Sequence, residues 1–245
     1  KRKLKKKRRL RKMSHLKRLL AQRFWRIPKK ESKWVVSPSP GPHKKFESIP
    51  LQIIIRDLLK LAEIAKEARA IIKTGEILVD GKKRKSVAYP VGLFDVVSIP
   101  KLGKHYRIVP TQVGLELIEI SEDEAKVKIC NIKDKTKIKG NKIQLNLHDG
   151  KNILVDKDIY MTQDTVLVEL NPLKIVDHIK TEKGSIGILT RGANRGELGK
   201  IKEVMPGKFK SPSKIICEIG EKEVEILNEH FFAVGKDKPI IRVSG

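Results

Sequence analysis

"RAIIKTGEILVDGKKRKSVAYPVGLFDVV", Arg69 to Val97, changes from helical to strand spacing within a few residues and sets four consecutive cations just after an Asp-Gly pair. Its upstream part belongs to "IAKEARAIIKTG", which reads as a helix ending at Gly75, since glycine takes the left-handed C-cap position without a Cβ penalty. Downstream, "EILV", the Asp80-Gly81 turn, the alternation Val87, Tyr89, Val91 and then "DVVSI" read as strands about a hairpin. On the helix, Lys66, Arg69 and Lys73 fall at i, i+3 and i+7 and share one face, with Ala68, Ile71 and Ile72 opposite. If the hairpin packs back on the helix, Lys82, Lys83, Arg84 and Lys85 extend that face into one cationic edge, suited to duplex phosphates or a folded RNA junction. A solvated helix face and a charged surface turn account for the same spacing.

Charge is distributed very unevenly over the 245 residues. The formal net charge is +25, and residues 1–45 carry nineteen Lys/Arg against the single acid Glu31, a local +18 that leaves +7 for residues 46–245. Such an excess implies an extended anionic partner, because clustered cations gain free energy by displacing counterions condensed on phosphates. RNA, DNA and an acidic membrane all qualify. The sequence has no apolar run of transmembrane length, and no apolar core of a secretory signal follows the basic start, so a soluble intracellular protein is expected. The opening on Lys1 rather than Met indicates processing or missing leading residues. Cys130 and Cys217 stand far apart outside any C-x-x-C pair, which argues for reduced, packed thiols and against a disulfide framework or a cysteine zinc site.

"KRKLKKKRRLRK" holds ten cations in twelve residues. Repulsion at that density predicts an arm that is disordered when free, with Lys5, Lys6, Lys7, Arg8, Arg9, Arg11 and Lys12 as phosphate contacts. From an N-cap at Ser14, the positions Leu16, Leu19, Leu20 and Phe24 follow helical spacing, with Lys17, Arg18 and Arg23 between them. That helix is expected to end near Trp25, before Pro28, with Lys17, Arg18, Arg23 and Arg26 as further RNA phosphate contacts, and "SPSPGPH" (37–43) to run on as an extended linker. Residues 48–60, "SIPLQIIIRDLLK", read as a helix with Ser48 near the cap and Pro50 in the first turn.

Beyond residue 105 short strands succeed one another. "AKVKI", "IQLNL" and "TVLVEL" alternate apolar and polar residues, "HDG" (148–150) makes a turn, and a barrel or sandwich is implied. After a break near Asn171-Pro172, "KGSIGILTRGANRGELGKIKEV" sets two strands about a glycine-rich loop, and "HFFAVG" continues the β pattern. The reading is therefore α+β and multi-domain: a basic extension with a helix (1–45), two helices with a small antiparallel sheet (46–105), a central all-β barrel-like domain (106–172) and a C-terminal small β-barrel (173–245).

Enzymatic constellations are missing. A phosphate loop ending on Gly199-Lys200 needs glycine at 194, which is Asn, and Ser or Thr at 201, which is Ile. His148-Asp149 lies within a turn without a nucleophile signature, and the other histidines lack metal-ligand spacing. Aromatics are 4% of residues, which disfavours recognition by stacking of splayed bases.

"EARAIIKTGEILVDGKKRKSVAYPVGLFDVV" resembles the alpha-L RNA-binding module, two helices plus a hairpin, shared by ribosomal proteins, pseudouridine synthases and an aminoacyl-tRNA synthetase. "HLKRLLAQRFW", "SPSPGPHKKFESIPL", "IQLNLHDGKNI" and "HFFAVG", in this order, resemble the archaeal and eukaryotic small-subunit ribosomal protein S-four-e family over nearly the whole chain. The third module resembles a KOW motif through Gly192, Asn194, Gly196, Gly199 and Ile201, and would take an SH3-like barrel. Arg191, Asn194 and Arg195 at its loop tip can reach phosphates, although structural turns explain the glycines equally well. The sequence departs from the family at Gln163, where a Gly usually precedes the Asp, and at Gln22, where a Pro often follows the Ala.

The resemblance implies a structural, non-enzymatic component of the small ribosomal subunit. Its partners would be ribosomal RNA and neighbouring small-subunit proteins, with no cofactor, metal, membrane or small-molecule substrate. Its place would be the ribosome in the cytoplasm, transiently the nucleolus if eukaryotic. Two rivals share parts of the pattern: a pseudouridine synthase, whose R-L-D string does not occur here, and a KOW-containing transcription factor, which leaves "SPSPGPH" and "IQLNLHDG" unexplained.

Overall fold

The computed structural model describes residues 15–140, 142–207, 212–220, 222–236 and 239–242, and over these the protein is mostly β. The α+β expectation is corrected to that extent: helices are short, and the longest, Ala65–Thr74, has ten residues. Two compact units divide the chain. One comprises the residues up to Ile77 with Lys83–Gly92, the other Leu78–Lys82 with the residues from Leu93 onward. The cationic arm, with Lys5, Lys6, Lys7, Arg8, Arg9, Arg11 and Lys12, lies outside the described residues, as does Ser14.

In the first unit, His15–Lys17 pairs antiparallel with Trp34–Val36. The helix expected from Leu16 to Trp25 is replaced by this strand and two 3-10 turns, Arg18–Leu20 and Arg23–Trp25. The reason lies in the burial: Leu16, Phe24 and Trp25 face inward, but Leu19 and Leu20 are each 65% exposed. Four apolar positions at helical spacing therefore do not form one stripe. The Trp25 indole N–H donates to the Ser48 carbonyl at 3.0 Å, the partner a buried indole requires.

The helix expected over 48–60 begins later. Ile49–Pro50 pairs as a short strand with Pro90–Val91, and a helical turn Leu51–Ile53 continues as the π-helical Ile54–Leu58. The Leu51 and Gln52 amides donate to the Tyr89 and Val87 carbonyls at 3.0 and 3.1 Å. Residues 87–89, expected to alternate as a strand, instead satisfy the open donors of a helix start. Leu51, Ile53, Ile54 and Ile55 are all buried, so this helix is apolar nearly all round and sits in the core of its unit. Ser48 does not cap it; its hydroxyl donates to the Lys44 carbonyl.

Helix Ala65–Thr74 forms where its spacing predicts. The Glu67 carboxylate accepts from the amides of Glu63 and Ile64 at 3.1 and 3.3 Å, closing the first turn. Ala68 and Ile72, one turn apart, are fully buried, and Gly75 holds φ 78° at the C-cap.

The second unit contains the Asp80-Gly81 turn, with φ 51° and 71°, the two positive values of a tight hairpin turn. Leu78–Val79, Val96–Ile99, Lys104–Thr111 and Gly114–Ile120 form one antiparallel sheet in that order. A five-stranded antiparallel sheet runs Asn152–Val155, Lys142–Leu147, Val127–Ile138, Thr165–Glu169, Lys174–Ile179. Another runs Lys222–Leu227, Lys214–Ile219, Leu198–Met205, Ile186–Leu189, Phe231–Gly235. Among the described residues both hydrogen-bonded orders are open rather than closed barrels. Strand Lys104–Thr111 passes through the expected division at 105/106, and Thr165–Glu169 pairs with Lys174–Ile179 across that at 172/173. The Asn171-Pro172 break is thus a hairpin turn inside one sheet.

Phe94, Ile129, Leu167, Ile188, Phe232 and Val234 form a core cluster that draws on strands from more than one sheet. Cys130 and Cys217 are buried free thiols in two further clusters; burial pushes Cys130 up and Cys217 up to about 11. Gln163, the departure from the family glycine, has φ 73°, and Gln22 has φ −60°.

Candidate nucleic-acid interface

The capped helix Ala65–Thr74 presents Lys66, Arg69 and Lys73 to solvent, all three exposed, while Ala68 and Ile72 anchor its other side. Lys83 and Lys85 of the same unit are exposed as well. The Lys85 stem lies against the helix end, close enough that a Cβ on Gly75 would come within 3.0 Å of its Cε. Arg84 is held inward: its amide donates to the Ile77 carbonyl at 3.1 Å, and its guanidinium carbon lies 4.4 Å from the Tyr89 ring centroid. Four of the cations expected on this edge, Lys66, Arg69, Lys73 and Lys85, are thus presented on one helix and at its C-cap. Lys82 is exposed in the second unit.

Toward the N-terminus, Lys17, Arg23 and Arg26 are exposed. Arg18, expected beside them as a phosphate contact, is 5% exposed. Its Nε donates to the Pro28 carbonyl at 2.5 Å, Nη1 to Ser32 Oγ at 3.0 Å and Nη2 to Glu31 Oε2 at 3.1 Å. This corrects the expectation, because the guanidinium is consumed in tying residues 28–32 to the strand. Glu31, the only acid of the basic head, is its partner.

In the glycine-rich loop, Arg191 is exposed whereas Asn194 and Arg195 are half-buried. The loop packs closely on strand Lys104–Thr111. At Gly196, with φ 86°, a Cβ would come to 2.7 Å from Thr111 Cα and 2.8 Å from the Pro110 carbonyl oxygen. The glycine here serves a backbone-to-backbone approach, and Arg191 is the tip residue directed most fully to solvent.

Sequence reasoning missed a buried ionic cluster. "AKVKI" reads Lys128 as an outward lysine, yet Lys128 is 0% exposed, because its strand is covered on both faces. Its ammonium donates to Asp80 Oδ2 at 2.8 Å, Asp95 Oδ1 at 2.5 Å and Asp149 Oδ2 at 3.0 Å, one carboxylate for each of its three hydrogens. Lys151 joins Asp80 at 2.7 Å and Asp149 at 3.1 Å. Burial pushes Lys128 down, but the three carboxylates outweigh it and hold the ammonium well above its ordinary value. Burial likewise pushes Asp149 up, and Lys128, His148 and Lys151 together hold it well below the usual carboxylate range. The only signal in the sequence is that the three aspartates stand at or beside turns.

Cys130, His148 and Asp149 bring potential ligand atoms within 4.8 Å of one another. Asp149 Oδ2 is already bound by two ammonium groups, Oδ1 accepts from the Lys151 amide, and His148 Nδ1 accepts from the Asn131 amide. A cation there would face Lys128 and Lys151, so the group is part of the internal network.

Ribosomal family S4e matches residues 102–175, the RS4NT (NUC023) domain residues 12–46 and the S4 domain residues 50–97. The chain is 46% identical over 230 residues to a small ribosomal subunit protein eS4 of Archaeoglobus fulgidus, covering 93% of this chain and 97% of that one. It is also 46% identical to one of Methanothermobacter thermautotrophicus, covering 94% and 96%. The crystal structure of the 30S ribosomal protein S4e from Thermoplasma acidophilum superposes with a TM-score of 0.67 at 30% identity, covering 78% of this chain and 96% of the other. With relatives aligned almost end to end, the chain belongs to the ribosomal S4e family.

Proposed function

We propose that the chain is a structural constituent of the small ribosomal subunit that binds folded ribosomal RNA and performs no catalysis. The observation that carries this reading is the exposed row Lys66, Arg69 and Lys73 on a rigid, capped helix, with Lys85 at its C-cap, inside the stretch matched by the S4 domain. A fixed row of cations on one helix face suits the regular phosphate spacing of an RNA duplex edge, and phosphate contacts set register and orientation rather than sequence. The names of the aligned relatives, small ribosomal subunit proteins, support the same assignment.

In this reading the helix row is an alpha-L docking edge, with Lys83 and Arg84 of the same unit as further contacts, and Lys82 of the second unit contacts RNA as well. The segment 1–45, with Lys5 to Lys12, Lys17, Arg23 and Arg26, supplies most of the long-range attraction through its +18 charge. Segments 46–105, 106–172 and 173–245 act as successive RNA-facing stretches of the chain. Arg191, with Asn194 and Arg195 beside it, forms a KOW-type contact. Neighbouring small-subunit proteins cover surfaces that RNA leaves open, and the place of action is the ribosome.

The test is binding of the purified full chain to small-subunit ribosomal RNA between 50 and 200 mM salt. Neutralising six to ten phosphates predicts a loss of about 10³- to 10⁵-fold in affinity over that range. Salt-independent binding, or sedimentation apart from small subunits, would overturn the proposal.

A further inference from the structure

The two tryptophans are used differently. Trp25 is 1% exposed, whereas Trp34 is 46% exposed on the two-stranded ladder of the first unit. The register sets Lys17 directly opposite Trp34 and His15 opposite Val36. Alternation therefore places His15, Lys17 and Trp34 on one face, with Leu16 buried on the other. The His15 ring meets the indole edge-on, centroids 5.6 Å apart and planes at 67°. Lys33 Nζ lies 5.4 Å from the indole centroid. An open aromatic ring is thus bordered by two lysines and steadied by an imidazole.

This combination selects among partners. An apolar protein segment laid on the indole would draw the Lys17 and Lys33 ammonium groups out of water without offering them an acceptor, which is costly. A nucleobase stacked on the ring brings its own flanking phosphates to the two cations, so apolar and ionic contacts are satisfied together. We infer that Trp34 is a stacking platform for one unpaired RNA base, with Lys17 and Lys33 on the adjoining phosphates and His15 fixing the plane of the indole. The base takes the ring face near Lys33, whose ammonium exchanges the π cloud for a phosphate oxygen. The inference rests on the RNA-binding reading above and adds to it a contact that phosphate recognition alone does not supply. Low aromatic content argues against stacking along many bases, and a single exposed indole serves one.

The test uses the full chain, titrated with a single-stranded octa-adenylate RNA and with a blunt A-form RNA duplex carrying the same number of phosphates, while tryptophan emission is followed. Trp25, being buried, provides the constant background. The single strand should quench the Trp34 emission, and the duplex, whose bases are paired, should bind without quenching. Trp34→Ala should bind the single strand about tenfold more weakly and the duplex unchanged. Trp34→Phe should recover most of the affinity, because a phenyl ring still stacks. Binding of the single strand without quenching, or unchanged affinity in Trp34→Ala, overturns the stacking platform alone. A Trp34→Ala chain that binds both RNAs normally yet fails to join the subunit assigns the face to a protein and also overturns it. A wild-type chain that binds neither RNA overturns the RNA-binding reading and this inference with it.

Discussion

The Lys128 ammonium lies 2.8 Å from the Asp80 carboxylate, joining residues 48 positions apart and fixing the Asp-Gly turn to the central strand. Asp80 also accepts the Val96 amide at 3.0 Å, so one side chain holds a turn, a strand and a buried cation together. Replacing Lys128 by Met would take from Asp95 its ammonium partner and leave Asp80 and Asp149 to share Lys151 alone, three buried carboxylates with one cation fewer. Breaking a buried ion pair from one side costs about 3–5 kcal/mol. Urea unfolding of Lys128→Met should show a loss of that size, and a loss below about 1 kcal/mol would mean the cluster is not a structural element.

The same cluster sets a pH window. Asp149 is held below its unfolded value, so its contribution is full above about pH 4 and is lost as the pH falls toward the folded value. Lys128 and Lys151 are held above theirs, so their contribution is full below about pH 10 and is lost as the pH rises further. Unfolding midpoints should therefore form a plateau between these limits. Asp149→Asn should flatten the acid limb while lowering the plateau; an acid limb of unchanged slope would exclude Asp149 as its source.

Gln163 occupies a left-handed conformation, φ 73°, while its carbonyl accepts from Asn131 Nδ2 at 2.9 Å and Thr181 Oγ1 at 3.0 Å. A residue with a Cβ pays about 1–2 kcal/mol in that region, and glycine gives part of this back in unfolded-state entropy. Gln163→Gly should raise stability by roughly 0.5–1 kcal/mol. Thermal unfolding of the variant at a lower temperature than the parent would refute the strain.

Gln22 differs from the family pattern without strain. Its φ of −60° follows Ala21 at φ −63°, ψ 147°, the extended geometry that a proline requires of itself and of its predecessor. Gln22→Pro should leave the fold intact and stabilise by about 0.4–1 kcal/mol, as read by denaturant midpoint; a destabilised variant would show that the Gln22 amide is needed.

Arg18 and Arg69 should fail in opposite assays. Arg18 makes three internal hydrogen bonds, so Arg18→Ala should cost about 1–3 kcal/mol in stability and leave the salt dependence of RNA binding unchanged. Arg69 is exposed; Arg69→Ala should leave stability within about 0.5 kcal/mol and reduce the salt slope by about one. If Arg18→Ala lowers the slope and Arg69→Ala does not, the helix face is not the docking edge.

What could be read from the sequence was local. The helix to Gly75, the Asp80-Gly81 turn, the strands at "DVVSI", "IQLNL" and "TVLVEL", and the loop between Ile186–Leu189 and Leu198–Met205 depend on capping, turn chemistry and alternation within a few residues. The errors concern where distant chain sections meet. Leu16, Leu19, Leu20 and Phe24 have helical spacing but pack against different surroundings. Lys128 looks solvent-facing until the carboxylates at 80, 95 and 149 are brought to it. Arg18 counts as one more cation in a basic head until its three acceptors are known. Spacing identifies a face but does not say what will cover it.

Strand Val127–Ile138 pairs through its first part with Thr165–Glu169 and through its second with Lys142–Leu147. The second pairing is a hairpin, while the first has to close a loop more than ten times longer, at an entropic cost of about 2 kcal/mol beyond that of the hairpin. The hairpin, whose two strands are close in the chain, is therefore expected to form before the long-range pairing, with Ile129 and Cys130 gaining their strand partners only when Thr165 to Glu169 arrive. Until that pairing closes, the first half of the strand would present an open apolar edge, and the delay before Thr165–Glu169 docks sets how long a wrong neighbour can pair with it.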